Sequence, residues 1–249
     1  PRYHLLESTR VYAQAQAEAA GEAEASRTRH AQALRQWAEA AMQALWQEGD
    51  QAWLALRLDE RANLQVALEH ALADDDVPLA TPLFEAMVWM GRLVGGGNDN
   101  RRYIERIAAL AERAQQDPTL PDAAAWAGRL WLHLASAVRH HDAGRAADLY
   151  DRAIEPLRQA GARSLRFIAC AGAVLAHARR NQLPQAHAAL EAARACADPG
   201  DPPRLAMFLP EAEGFLAAFE GRRAETRVQY ERYIACATAG GVEGALGVG

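Results

Sequence analysis

Apolar positions recur at three- and four-residue steps along most of the chain, the spacing of helices that each bury one face. Residues 5–20 read as a first helix, with Leu5, Leu6, Val11 and Tyr12 apolar and Gly21 interrupting it. A longer helix is predicted over about 25–47, where Ala33, Leu34, Trp37, Ala41, Ala44 and Leu45 share a face. Gly49-Asp50 ends it and offers Asp50 as the N-cap of a next helix over 51–73. Asp74-Asp75-Asp76 and Pro78 break the pattern, and helices over 79–94 and 99–115 follow, separated by Gly95-Gly96-Gly97. β-branched residues are scattered, and no alternating run of Val, Ile, Thr or Tyr marks a strand. The expected fold class is all-α.

Residues 116–121, QDPTLP, form the clearest internal boundary. Beyond it a triplet repeats every forty residues: Ala146, Tyr150, Ala153, then Ala186, Leu190, Ala193, then Thr226, Tyr230, Tyr233. A short polar break precedes each, at His141-Asp142, Asn181-Gln182 and Gly221-Arg222, and Cys196 and Cys236 fall in equivalent places. Small then large four residues later, then small or aromatic three later, marks the second helix of a helix–turn–helix unit. A looser upstream unit is formed by Asn100, Ile104 and Ile107. Tetratricopeptide units are about 34 residues long and other helical pairs about 40–47. The repeats therefore predict helix pairs stacked as a tetratricopeptide-like right-handed superhelix, burying apolar faces only against neighbours.

Composition narrows the chemistry. Half of the 249 residues are hydrophobic, many of them alanine, which suits thin helix-on-helix layers. The net charge is −5, unlike the basic balance of a nucleic-acid binder. No lysine occurs and all 27 basic residues are arginine, which excludes a P-loop lysine and a Schiff-base amine. Cys170, Cys196 and Cys236 make neither a disulfide framework nor a metal knuckle. No signal-peptide pattern or membrane-length apolar run is present, so the expected location is the cytoplasm. The chain begins at Pro1 and stops at Gly249, within what reads as another helix over 242–248, and is expected to be a piece of a longer polypeptide.

The opening RYHLLESTRVYA (Arg2 to Ala13), the AGE at 20–22, Arg29-His30-Ala31 and WLALRLDERANLQVAL (Trp53 to Leu68) carry a resemblance. Together they resemble bacterial STAND-class ATPase-coupled transcriptional regulators of the LuxR and SARP kind. NRRYIERIAALAERA (Asn100 to Ala114) is similar to the first repeat helix of that family. Arg57 departs from the pattern, standing four residues after Trp53 where leucine is usual, which puts the local helix register in question. The resemblance implies that residues 1–24 are the tail of a winged-helix segment and 25–115 a helical region leading into the repeats. Residues 116–249 would then be tetratricopeptide-like repeats of about 40 residues, truncated at the C-terminus. It further implies a regulatory or sensor module that controls ATPase and DNA-binding parts absent from this chain. ATP and magnesium would belong to the absent NTPase module, and this segment itself would bind neither nucleic acid nor membrane.

Several residues invite chemistry. His140 and His141 are adjacent, cannot share a helix face, and read as C-terminal capping groups. His177 and His187 flank the Asn181 turn without further ligands for zinc. Asp74-Asp75-Asp76 lacks calcium-loop spacing, and the glycine run 95–97 lacks a phosphate-loop setting. No catalytic set, cofactor site or metal site is expected. The candidate binding residues are Arg163, Arg166, His177 and Arg180, one polar stripe on a helix over 164–180, with the repeat-equivalent His133 and Glu213. In tetratricopeptide-like arrays the first helices line the concave surface, so these six would face a protein segment or small effector there. Two alternatives remain: a free-standing tetratricopeptide scaffold, and a helical enzyme domain, which would need a cluster of perturbed titratable groups.

Overall fold

The computed structural model describes residues 7–94 and 97–242. All regular structure among them is helical, in the order α1 (Glu7–Ala19), α2 (Ala23–Leu45), α3 (Asp50–Arg57), α4 (Arg61–Ala73), α5 (Val77–Val94), α6 (Ile104–Gln116) and α7 (Ala123–Val138). Then come α8 (Ala143–Gln159), α9 (Arg163–Arg179), α10 (Leu183–Cys196), the short α11 (Pro203–Ala206), α12 (Phe208–Phe219) and α13 (Arg223–Ala239). Residues 1–6, with the Leu5 and Leu6 of the expected first helix, residues 95–96, and the helix expected over 242–248 beyond its first residue lie outside the described part. No described helix is long and apolar enough to cross a membrane.

Helices follow one another in space as they do in sequence. α2, α4 and α5 pack together; then α7 packs on α6 and α8, α9 on α8 and α10, and α12 on α9 and α13. One continuous cluster of buried apolar side chains runs from Ala31 to Val242. The hairpins turn through single residues in the left-handed region, Gly161, Asn181 and Gly221, at φ 66°, 57° and 74°. Glycine and asparagine meet that geometry at the least steric cost.

The repeated triplets sit where the spacing puts them. Ala146, Tyr150 and Ala153 on α8 and Ala186, Leu190 and Ala193 on α10 are all buried. On α13, Thr226, Tyr230 and Tyr233 are only half-buried, because α13 ends the packed series and Ala237 is its one fully buried residue. Close approach is also set from the facing helices. Gly172 on α9 lies under the Tyr150 ring, so that a methyl group there would overlap the ring. A methyl group at Gly128 on α7 would come 2.7 Å from Leu157 Cγ. Replacing the fully buried Ala186 with leucine should overpack its contact and lower stability by about 1–3 kcal/mol. The exposed neighbour Gln185 should tolerate leucine at a cost of about 0.5 kcal/mol or less. Urea unfolding of the two variants compares them on one helix, where helix propensity nearly cancels.

Three sequence expectations change. The helix predicted over 99–115 is α-helical only from Ile104, after a 3-10 helix over Gly97–Tyr103. The helix predicted over 51–73 is broken, with Leu58–Glu60 forming a 3-10 turn between α3 and α4. Arg57 adopts φ −125° and its guanidinium reaches back to Glu48 at 2.7 Å and to the Trp53 carbonyl at 3.1 Å, which draws the chain out of the helix. Asp50 is not an N-cap: Gly49 takes that position, and the Asp50 carboxylate turns to Arg204 instead.

That contact joins distant parts of the chain. The Asp50 backbone N–H donates to the Gly241 carbonyl at 2.9 Å, and the Arg204 Nη2 donates to the carbonyls of Glu48 at 3.0 Å and Gly240 at 3.4 Å. Arg204 is 1% exposed, and its Nη1 lies 2.7 Å from Asp50 Oδ1, a close ionic contact. The start of α3 is thereby fastened to the end of α13, and the helical series curves around a partly open space.

Candidate functional site: an arginine-lined central cavity

The space between these helices is a partly open cavity of about 570 Å³. α5 contributes Val88, Trp89, Arg92 and Leu93; α7 and the turn after it contribute Ser136, Ala137, Arg139, His140 and His141. α9 adds Leu175 and Arg179, α12 adds Glu211 and Phe215, and α13 adds Tyr230, Tyr233 and Ile234. Asp50, Arg204 and Val242 close one side. Volume and lining match small-molecule sites, which run about 300–1,000 Å³ with aromatic walls and a few convergent polar groups.

The polar groups arrive by a shared local rule. Arg92 and Arg179 stand in the last turns of α5 and α9, and Arg139 directly follows α7, where a cation complements the helix dipole. Because α5, α7 and α9 end against the same space, their terminal arginines converge on it. The Arg179 Nη1 donates to the Arg139 carbonyl at 3.0 Å, and the Arg139 Nε donates to His140 Nε2 at 3.0 Å. The Arg92 guanidinium lies 4.4 Å from the centre of the Trp89 ring and that of Arg179 5.3 Å from Phe215, cation–π contacts that hold both side chains in place.

Electrostatics follow from this crowding. Burial, with the charge of Arg139 beside it, lowers the Arg92 guanidinium to about 10. Burial and the charges of Arg139, Arg179 and Arg92 push the His140 imidazole down to about 4, so it is neutral at pH 7. Its three arginine neighbours disfavour a further cation at His140. Burial and the Glu211 carboxylate raise the phenols of Tyr233, to about 12, and Tyr230, which stay protonated as hydrogen-bond donors.

The six residues expected to form a concave-face site have other surroundings, and none of them lines this cavity. His133 is buried with its Nε2 3.0 Å from Glu85 Oε1 on α5, beside Arg129. His177 is buried against Asp151 of α8 at 3.1 Å and Gln182 at 2.9 Å. Glu213 is buried and accepts from Arg194 at 2.7 Å. Arg163 holds Asp201 and the Cys196 carbonyl, Arg180 holds Asp148 at 3.2 Å, and the half-buried Arg166 keeps its Nε shielded without a hydrogen-bond partner. Five of the six are thus engaged in contacts between neighbouring helices or turns.

Elsewhere Glu24, His70 and Asp74 meet at the surface between α2 and α4. Glu24 lies 3.6 Å from His70 Nδ1 and Asp74 3.9 Å from His70 Nε2. One ligand atom from each of the three lies within 4.8 Å of the other two, a grouping able to hold a metal ion. The thiols of Cys170 and Cys196 are buried, and burial raises that of Cys170 to about 12, so it is no nucleophile at neutral pH. Comparison with protein-family models, curated proteins and solved structures found no match to this chain.

Proposed function

We propose that the chain is the regulatory, effector-sensing module of a bacterial transcriptional regulator of the ATPase-coupled STAND class. Its helix pairs form a tetratricopeptide-like right-handed superhelix whose inner face takes up a small effector. It is a binding module with no catalytic step of its own, and works in the cytoplasm through contact with NTPase and winged-helix parts of the longer protein. The observation that carries this reading is the central cavity, closed by the Asp50–Arg204 contact and lined by the ends of α5, α7 and α9 together with α12 and α13. A ligand filling that space touches helices from several units at once, so occupancy stabilises one arrangement of the array over others. The resemblance carried by Arg2 to Ala13 and Trp53 to Leu68 supports the family reading.

A thermal-shift screen of small metabolites on the purified chain tests the binding role, with Ala137→Trp as the control because Ala137 lines the cavity. Compounds that stabilise the chain but not the variant are expected. Equal shifts on both, or capture of extended peptides with no small-molecule hit, favour a protein-binding scaffold. The family reading is tested on the gene, where a coding sequence continuous with this one is expected to contain a P-loop and a helix-turn-helix. The purified chain should show no micromolar ATP-binding isotherm, since it has no lysine for a P-loop. It should also give no sequence-specific DNA shift that persists at physiological salt.

A further inference from the structure

The cavity collects positive charge without collecting its partners. Among the described residues, no carboxylate lies within salt-bridge reach, 4.0 Å, of the guanidinium groups of Arg92, Arg139 or Arg179. Most described arginines differ, among them Arg57, Arg106, Arg129, Arg145, Arg163 and Arg194, which each hold a carboxylate. Among the described residues, two carboxylates line the cavity: Asp50 is committed to Arg204, and Glu211 faces three guanidinium groups. Helix capping accounts for part of Arg179, whose Nη1 bonds the Arg139 carbonyl, but it leaves most of the N–H donors of the three forks unused. Gathering them costs mutual repulsion in a partly water-excluded space, which an anion would relieve.

The rest of the lining sets the shape of that anion. Trp89, Phe215, Tyr230 and Tyr233 present ring surface, and Leu93, Leu175 and Ile234 fill the gaps between them. The space is too small for a folded domain or a nucleic-acid strand and suits a drug-sized molecule.

We propose that the ligand of this cavity is a small organic anion, with a carboxylate, sulfonate or phosphate held by Arg92, Arg139 and Arg179 and a flat apolar body against Trp89, Phe215 and the two tyrosines. The proposal deepens the effector-site reading and rests on it. Guanidinium forks bind such oxyanions through paired N–H donors, and the neutral His140 adds a hydrogen-bonding group without another charge to neutralise. Glu211 limits the net attraction, so the site favours one charged end over a polyanion.

Two probes of matched shape test it: 1-naphthoate, which is anionic, and 1-naphthamide, which is neutral. Calorimetric titration of the full chain should show the anion binding at least roughly tenfold more tightly, the scale of one charge-assisted hydrogen bond. Raising the salt concentration should narrow the difference. In the double variant Arg92→Gln, Arg139→Gln the anion should lose most of its advantage over the amide, Arg179 alone remaining opposite Glu211, while the amide is unchanged. Circular dichroism checks that this variant is folded, and the comparison on the unaltered chain stands without it. Equal binding of the two probes, or an anion preference undiminished in the folded double variant, overturns the anion proposal and leaves the effector-cavity reading in place. Binding of neither probe also overturns it, and the compound screen with Ala137→Trp then decides the broader reading separately.

Discussion

Asp50→Ala is expected to lower the unfolding free energy by about 3–5 kcal/mol, the usual consequence of leaving a buried charge without its partner. The stranded group is Arg204, 1% exposed, whose Nη1 lies 2.7 Å from the lost carboxylate. Two backbone carbonyls, of Glu48 and Gly240, still accept from its Nη2 and keep the loss from being larger. Removing both charges, as Asp50→Leu with Arg204→Met, should recover most of the stability, because two apolar groups need neither solvation nor each other. The urea midpoint measures both. If Asp50→Ala costs less than the Ala186→Leu change, the closing contact contributes little and the cavity has no firm wall on that side.

Glu85→Ala should be nearly as damaging, at about 3–5 kcal/mol near neutral pH. Its buried carboxylate on α5 lies 2.5 Å from Arg129 Nη2 and 3.0 Å from His133 Nε2, both on α7. Burial opposes ionisation of Glu85, but the charges and hydrogen bonds of His133 and Arg129 outweigh it and hold the group at about 2 against an ordinary 4.5. The sign follows from linkage: a carboxylate with a depressed value in the fold contributes stability that is complete above about 4.5 and is lost as the pH falls to about 2. That contribution is on the order of 3 kcal/mol. Acid titration of stability should therefore fall through this window in the native chain and run flatter in Glu85→Ala. Identical pH profiles would show that Glu85 is not held ionised by α7.

Much of the fold is legible in the spacing of apolar residues, because helix formation and helix pairing depend on positions three, four and forty residues apart. Ala146, Ala186 and their partners are buried where that spacing places them. The break at Leu58–Glu60 is not legible, since the apolar pattern runs through it; only the misplaced Arg57 signals a disturbance. Asp50 reads as a cap because its partner, Arg204, is 154 residues away in sequence and no local pattern connects them. The cavity was missed for a related reason. Arg163, Arg166, His177 and Arg180 fall on one predicted helix and form a visible stripe, whereas Arg92, Arg139 and Arg179 stand at the ends of three helices. A signal was nevertheless present. Arg139 and Arg179 are forty residues apart, in the same register as the triplets, at the ends of equivalent helices. What spacing could not show is that the array folds back on itself, so that those ends face α12 and α13 across a common space.

The return of the array onto its own beginning is the claim on which the cavity, its charge and its ligand all depend. Dipolar spin-label spectroscopy between Gln51→Cys and Thr238→Cys measures it directly, since both positions are exposed and flank the joined Asp50 and Gly241. Cys236→Ala removes the half-buried thiol, and Cys170 and Cys196 are buried away from the label. A single short, narrow distance distribution is expected, lengthening and broadening when Asp50→Ala is added. A broad distribution at long distance, indifferent to Asp50→Ala, would contradict the closed array.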